Sequence, residues 1–286
     1  MNHKRITGCV CVLSMLLLYA VGKRYVFPTV ERKVEEVEIL SDSAHAEPVI
    51  NIERKETGEG QEKVTYFVAD IELGNATGLQ AAFAQNQYGL NIKDTVSSMA
   101  QEHDAVFAVN GDFYGYRTDG IVIRNGILYR DEPTSRECLV LYRDGTACVM
   151  QEGTVSGSRL IEEGAWNVFS FGPVLVENGK VRDGLEESYK VDILNASISG
   201  KQPRTGIGVL EENHLLIVTV DGRKEGYSCG MTFQEFAQLF ADYGCQLAYN
   251  LDGGGSAVMY QEGQIVNRPS SGEERRVSDM IYIKKN

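Results

Sequence analysis

Histidine is scarce in this 286-residue chain, which has four. His3 and His45 lie towards the N-terminus, His103 in a polar stretch and His214 in the turn "EENH". None stands in a nucleophile context, so Ser-His-Asp and Cys-His chemistry are poorly supported. The six cysteines show no C-x-x-C spacing, which argues against a structural zinc site. Cys138 and Cys148 flank the turn "YRDGTA" and either face each other across a hairpin or serve as two small core residues. Cys229 and Cys245 bracket a helical segment roughly 18 Å long, too far apart for a disulfide. Positive charge is short as well: 28 Lys and Arg against 40 Asp and Glu leave a net charge of −12. A nucleic-acid backbone calls for a basic face, so no nucleic-acid partner is expected. Small anionic substrates stay open, because a basic pocket fits on an acidic protein. Six prolines against 30 glycines, with many short apolar runs, point to a strand-rich fold.

Long apolar runs are lacking too, with one exception at residues 6–22, "ITGCVCVLSMLLLYAVG". Its 17 residues are at the short end for a membrane-spanning helix. Lys4 and Arg5 precede it and Lys23 and Arg24 follow it, which leaves orientation unset and argues against cleavage after "AVG". Residues 1–22 are therefore expected to form an uncleaved signal-anchor, a single transmembrane helix. Residues 23–48, including "VERKVEEVEILSDSAHAEP", are highly charged and read as a polar stalk. The globular part is expected at 49–286.

Within it, "VINIERKETGEGQEKVTYFVADIEL" reads as two strands around a polar turn. "LQAAFAQ" and "TVSSMAQEH" are helix-permissive, and "AVFAVN" is a buried-strand run. Asn125-Gly126, Asp144-Gly145 and Asn178-Gly179 are hairpin turn signals, and "GIGVLEENHLLIVTVDGR" reads as a further hairpin. Thr232 and Glu235 have capping-box spacing before Phe233, Phe236, Ala237 and Phe240 on one helical face, with Gly244 as the stop. The expected fold is a single α+β domain with a large, mainly antiparallel sheet and a few helices.

"NLDGGGSAVMY", residues 250–260, sets an aspartate and three glycines after an apolar run. A phosphate-cradling loop needs the order strand, glycines, helix; here a helix precedes, a strand follows and no lysine comes after the glycines. What remains is an aspartate held at a strand end by a glycine turn, and the arrangement recurs. "FAVNGDFYG" places Asn110 and Asp112 past a strand, "LLIVTVDGR" places Asp221 and Arg223, and "AYNLDGGGS" places Asn250 and Asp252. Strand-end loops on a rigid sheet are where sites are built, although each pair alone also makes ordinary turns. Carboxylates suit glycosidic cleavage, and the guanidinium forks of Arg204, Arg223 and Arg275 suit phosphate. Tyr114 and Tyr116, beside Asp112, are placed either to stack on a sugar ring or to sit in the core.

In order, "NGDFYG", "FSFGPVLVENGKV", "QPRTGIGV", "TVDGR", "GMTFQEFAQLFADYGCQLAYNLDGGGS" and "ERRVSDMIYI" resemble the phosphodiester glycosidase family, over roughly residues 60–284. That family is similar to the catalytic domain of the lysosomal N-acetylglucosamine-1-phosphodiester alpha-N-acetylglucosaminidase. The resemblance implies an exported or membrane-anchored domain that hydrolyses a sugar-1-phosphodiester, with a glycan or sugar-phosphate as its partner. It implies a site of Asn110, Asp112, Arg204, Asp221, Arg223, Asn250, Asp252, Gly253, Gly254, Ser256 and Arg275. Asp252 is expected as a catalytic carboxylate, Asp112 and Asp221 as its partners in acid/base work or cation binding, and Arg204 and Arg223 as phosphate ligands. No cofactor is required; a divalent cation such as calcium is compatible with several strand-end carboxylates, though no loop has EF-hand spacing. The chain lacks the cysteine-rich extension of the animal enzyme. Its anchor and stalk look like those of bacterial surface proteins linked to exopolysaccharide or envelope glycans. The expected location is therefore the cell membrane, with the domain on the extracytoplasmic side, and the expected substrate is a glycan phosphodiester. A non-catalytic glycan-binding domain and a P–O-cleaving phosphodiesterase stay open as alternatives.

Overall fold

The computed structural model describes residues 27–34, 47–185 and 200–285. The apolar run at 6–22 lies outside them. Among the described residues no helix is long and apolar enough to cross a membrane.

Instead of one large sheet, the strands form a seven-stranded sheet, two five-stranded sheets and a two-stranded ribbon, with every pairing between strands antiparallel. The seven-stranded sheet runs, edge to edge, through 180–181, 174–177, 247–250, 204–211, 214–220, 64–72 and 49–57. The first five-stranded sheet runs through 264–265, 259–261, 105–110, 279–284 and 79–83. The second contains 147–151, 137–142, 165–169, 120–124 and 127–132.

Alternation along the central strands explains the layering. Leu215 and Ile217 face the first five-stranded sheet across a core that includes Phe107, Val109 and Ile281. Leu216, Val218 and Val220 point the other way, onto Phe233, Phe236 and Phe240 of the helix Phe233–Asp242. A strand buried on both faces reads as the continuous run "HLLIVTV" rather than as an apolar–polar alternation. The first five-stranded sheet is likewise covered on its far side, by Val96, Met99 and Ala100 of the helix Val96–Glu102. The result is a helix–sheet–sheet–helix stack, with the second five-stranded sheet carrying its own small core around Leu160 and Val168. Helix and sheet approach closely at Gly206, where an added Cβ would lie 2.8 Å from the Phe236 ring. That contact accounts for a glycine inside a strand.

The expected hairpins at Asn125-Gly126, Asp144-Gly145 and Asn178-Gly179 form, as does the capping box, with Thr232 Oγ1 accepting from Glu235 N and Thr232 N donating to Glu235. "LQAAFAQ" does not become a helix. Leu79–Phe83 is a strand paired to Asp279–Lys284, because Leu79 and Ala81 fill one core while Ala82 fills another. Tertiary burial on both faces overrides the helix propensity of alanine. Part of the expected stalk also has structure: Thr29–Lys33 pairs with Gln87–Leu90, and Arg32 lies over the Tyr129 ring. Cys138, Cys148, Cys229 and Cys245 are all unbonded. Cys138 and Cys148 are not opposite each other: Cys138 pairs with Met150, and Cys148 with Val140.

Candidate active site

Two sheets meet at the ends of their central strands. Strand 105–110 runs into Gly111 and Asp112, and strand 247–250 into Leu251 and Asp252. Asp252 N donates to Gly111 O at 3.3 Å, stitching the two loops together. Asn110, fully buried, completes the join: its amide donates to Asp252 O at 2.6 Å, and its oxygen accepts from Thr205 Oγ1 at 2.8 Å and Val258 N at 3.2 Å. Asn250 holds the other side, donating to Gly172 O at 2.8 Å beside the cis Gly172–Pro173 bond. Both asparagines therefore shape the site from beneath, and the buried Oδ1 of Asn250 has no partner among the described residues.

Above this join is a cavity of about 120 Å³, lined by Asp112, Phe113, Tyr116, Asp252, Ser256 and residues 275–278. Phe113 and Tyr116 stack face to face, with centroids 4.3 Å apart, and Lys93 Nζ lies 4.3 Å over the Tyr116 ring. Tyr114, by contrast, is buried in a separate aromatic cluster with Phe83 and Tyr88. Ser278 is buried in the cavity wall, and its hydroxyl has no partner among the described residues. A buried hydroxyl without a partner is a donor waiting for an acceptor.

The carboxylates are driven apart in acidity. Burial raises Asp252 above its ordinary value, opposed by the Ser256 hydroxyl, Arg275 and the Gly253 N–H at 2.8 Å. Burial would raise Asp112 as well, but ion pairs to Arg117 at 2.9 Å and Arg124 at 3.8 Å outweigh it. Together with the N–H groups of Ser170 and Phe113, they hold Asp112 below the usual range. Beneath Asp112, Asp279 is buried in the centre of the network. It binds Arg124 Nη2 at 2.8 Å and accepts from Asp112 N at 2.8 Å. Burial, with Asp112 close by, outweighs the pull of Arg124 and raises Asp279 to about 7. Two titratable groups pushed in opposite directions in one cavity is the arrangement expected of acid/base assignments.

Of the residues expected from sequence, the cavity brings together Asp112, Asp252, Ser256 and Arg275, with Arg275 Nη1 3.4 Å from Ser256 Oγ. Asp221 is elsewhere. Buried, it accepts from Tyr227 Oη at 2.8 Å, Asn267 Nδ2 at 2.9 Å and Arg268 N at 3.0 Å. With its lone pairs occupied, it anchors the 266–268 loop and is not an acid/base partner for Asp252. Arg204 is buried on the Phe233 ring, 3.7 Å from its centroid, and donates to the carbonyls of Met231 and Gly200. It holds backbone, where a phosphate ligand was expected. Arg223 is exposed, donates to Gln202 Oε1 at 2.8 Å and flanks Gly254. Among the described residues no three His, Cys, Asp or Glu side chains converge as metal ligands would, and Asp112 and Asp221 are already engaged by arginine, backbone and amide donors.

Sequence reasoning passed over Arg117, Arg124, Ser278 and Asp279. A signal for two of them was present: Arg124 ends the apolar run "GIVIR" and Asp279 opens "DMIYI", and a charge abutting a buried run calls for a partner.

The phosphodiester glycosidase family model matches residues 103–284, which hold the whole cavity lining. The chain belongs to the phosphodiester glycosidase family. The SPbeta prophage-derived uncharacterized protein YomE of Bacillus subtilis 168 is 31% identical over 93% of this chain, and the match covers 44% of YomE. The chain thus spans less than half the length of that relative. The zebrafish N-acetylglucosamine-1-phosphodiester alpha-N-acetylglucosaminidase catalytic domain, auto-inhibited by its pro-peptide, superposes with a TM-score of 0.67 at 19% identity, over 91% of this chain and 88% of that one. A hypothetical protein from Synechocystis superposes with a TM-score of 0.55 at 14% identity, over 82% and 61%. These likenesses establish a shared fold.

This phosphodiester glycosidase domain uses its glycines for backbone geometry. Gly254 has φ +60°, and a Cβ there would lie 3.1 Å from Arg223 Nη2. Gly254→Ala is expected to destabilise the domain by about 1 kcal/mol. Urea denaturation of the variant beside wild type checks this; unchanged stability would mean that the loop relaxes out of the left-handed region.

Proposed function

We propose that the domain hydrolyses the glycosidic bond of a sugar-1-phosphodiester. The observation that carries this reading is the cavity shared by an ionised Asp112 and a raised Asp252, beside the guanidinium of Arg275 and the stacked Phe113–Tyr116 pair. The Phe113 and Tyr116 rings give the cavity an apolar wall for a sugar ring, and Ser278 a hydroxyl for one of its oxygens. Arg275 and Arg276 take the phosphate.

Water attacks the anomeric carbon as the C–O bond breaks, and the phosphomonoester departs with the bonding electrons. A phosphate oxygen is a weak base, so the leaving group asks little protonation of the enzyme; cations suffice to stabilise it. The proton that must move is that of the attacking water. Asp252 takes it, since a base works best with a pKa drawn towards the working pH. Asp112, kept ionised by Arg117 and Arg124, opposes the positive charge that develops on the sugar ring. We place the reaction at the outer face of a membrane, on the strength of the apolar run at 6–22 alone.

The test is product analysis with an aryl phosphodiester of N-acetylglucosamine. Free sugar and a phosphomonoester are expected. Sugar-1-phosphate would assign P–O cleavage instead, and binding without turnover would assign a lectin-like role.

A further inference from the structure

We propose that the site continues past the scissile phosphate into a second anionic subsite, so that the natural substrate bears a further phosphate on its leaving-group side. This rests on the phosphodiester reading above. Arg223, Lys224, Arg268, Arg275 and Arg276 occupy neighbouring loops on a chain of net charge −12, and none of the five forms a salt bridge among the described residues. Asp252 lies near Arg275 and Asp221 near Arg268, but without direct ion pairs the guanidinium forks are open to an anion from outside.

Their order follows the glycine loop. A Cβ on Gly255 would lie 3.5 Å from the Arg275 guanidinium carbon, and one on Gly254 would lie 3.1 Å from Arg223 Nη2. The two guanidinium forks thus flank consecutive glycines. Lys224, next in the chain, lines a second cavity of about 290 Å³ together with Arg268 and Asn267. Glu274 also lines it, its carboxylate turned onto the N–H and hydroxyl of Ser97 but still charged, so the pocket's two cations are offset by one anion.

The far end of this path is built. Arg268 lies 4.6 Å over the Tyr227 ring, Tyr227 Oη is fixed on Asp221 at 2.8 Å, and Asp221 also holds Asn267 and the Arg268 N–H. The buried Asp221 is therefore a positioning residue for a cationic pocket, which explains a strand-end carboxylate that does not reach the catalytic cavity. A guanidinium held in place on an aromatic ring loses little freedom on binding an oxyanion. The chemistry shared by the candidate ligands is a second phosphate, either the adjoining group of a diphosphate or the next linkage of a poly(phosphodiester) glycan.

The test compares the full chain with the Lys224→Gln/Arg268→Gln double variant on three substrates. These are the single-phosphate aryl ester, UDP-N-acetylglucosamine, and a synthetic dimer of phosphodiester-linked sugar repeats. Inorganic pyrophosphate binding is measured alongside by calorimetry, and thermal melting verifies folding. The double variant is expected to raise KM about tenfold for whichever two-phosphate substrate wild type prefers. Its kcat/KM on the aryl ester should stay within about twofold, and pyrophosphate binding should weaken about tenfold. The preferred two-phosphate substrate identifies the source of the second phosphate. Equal losses on all three substrates, or no wild-type preference for a second phosphate, would overturn the subsite. If no substrate is cleaved, the hydrolytic reading fails by itself. Pyrophosphate binding that drops in the double variant would then still uphold the anionic pocket, and binding that is absent or unchanged would remove it.

Discussion

Asp252→Asn is expected to lower kcat by about 10²- to 10⁴-fold, the range supplied by a positioned acid or base. Its melting temperature should stay close to that of wild type. The expectation of intact folding follows from the environment: burial already disfavours the Asp252 carboxylate, so a neutral amide of the same shape relieves a cost. The amide oxygen still accepts from Gly253 N, which keeps the turn. The pH dependence gives a second readout. The folded pKa of Asp252 stands above its ordinary value, so between those two values the folded protein binds more protons than the unfolded chain, and its stability falls as pH rises. If Asp252 accepts the water proton, wild-type kcat/KM climbs through that raised pKa, and the climb disappears in any residual activity of the asparagine variant. An Asp252→Asn enzyme within a few-fold of wild type would show that the residue only makes a turn. A wild-type activity that falls through this pKa would assign it as an acid.

The largest effect on stability is expected at Arg124. It is buried beneath the cavity, ion-paired to Asp279 and within 3.8 Å of Asp112, and its guanidinium carbon lies 4.3 Å over the Phe169 ring. Arg124→Leu leaves the buried Asp279 without its cation and Asp112 with Arg117 alone, and is expected to cost about 3–5 kcal/mol near neutral pH. The cost should shrink at pH 5. Asp279 has a folded pKa of about 7 against an ordinary 3.8, so it is mostly protonated at pH 5 and needs Arg124 least there. Losing Arg124, which pulls this pKa down, lets the Asp279 carboxyl of the variant stay protonated to still higher pH, so the wild-type advantage grows as pH rises through 7 and above. Urea denaturation at pH 5 and pH 7.5 measures the difference, and Arg124→Leu combined with Asp279→Asn should recover part of the loss. Equal destabilisation at both pH values would mean that Arg124 acts through packing on Phe169 and not through its charge.

Much of the scaffold was legible because local chemistry encodes it. Asn125-Gly126 and Asn178-Gly179 adopt the left-handed turn backbone at both residues and Asp144-Gly145 at its glycine, so these hairpins could be read directly. The helix at Phe233 announced itself through Thr232, Glu235 and a phenylalanine stripe at helical spacing. "LQAAFAQ" could not be read this way, since alanines suit either element and only burial between two cores made it a strand. The partition of strands into three main sheets was equally hidden, because a run buried on both faces says nothing about which sheet claims it.

For the site, the sequence alone determined that Asp112, Asp221 and Asp252 follow buried strands and that their motifs resemble one family. Tertiary structure decided which of them work together. Asp112 and Asp252 share a cavity because Gly111 and Asp252 are bonded across the ends of two sheets, whereas Asp221, with the same local pattern, is saturated by Tyr227, Asn267 and Arg268. The difference has a physical reason. Turn geometry depends on a few adjacent residues, but the acidity of a carboxylate depends on desolvation and on charges within a few ångströms. Arg117, five residues from Asp112, is local, but Asp279 reaches the same network from 167 residues away.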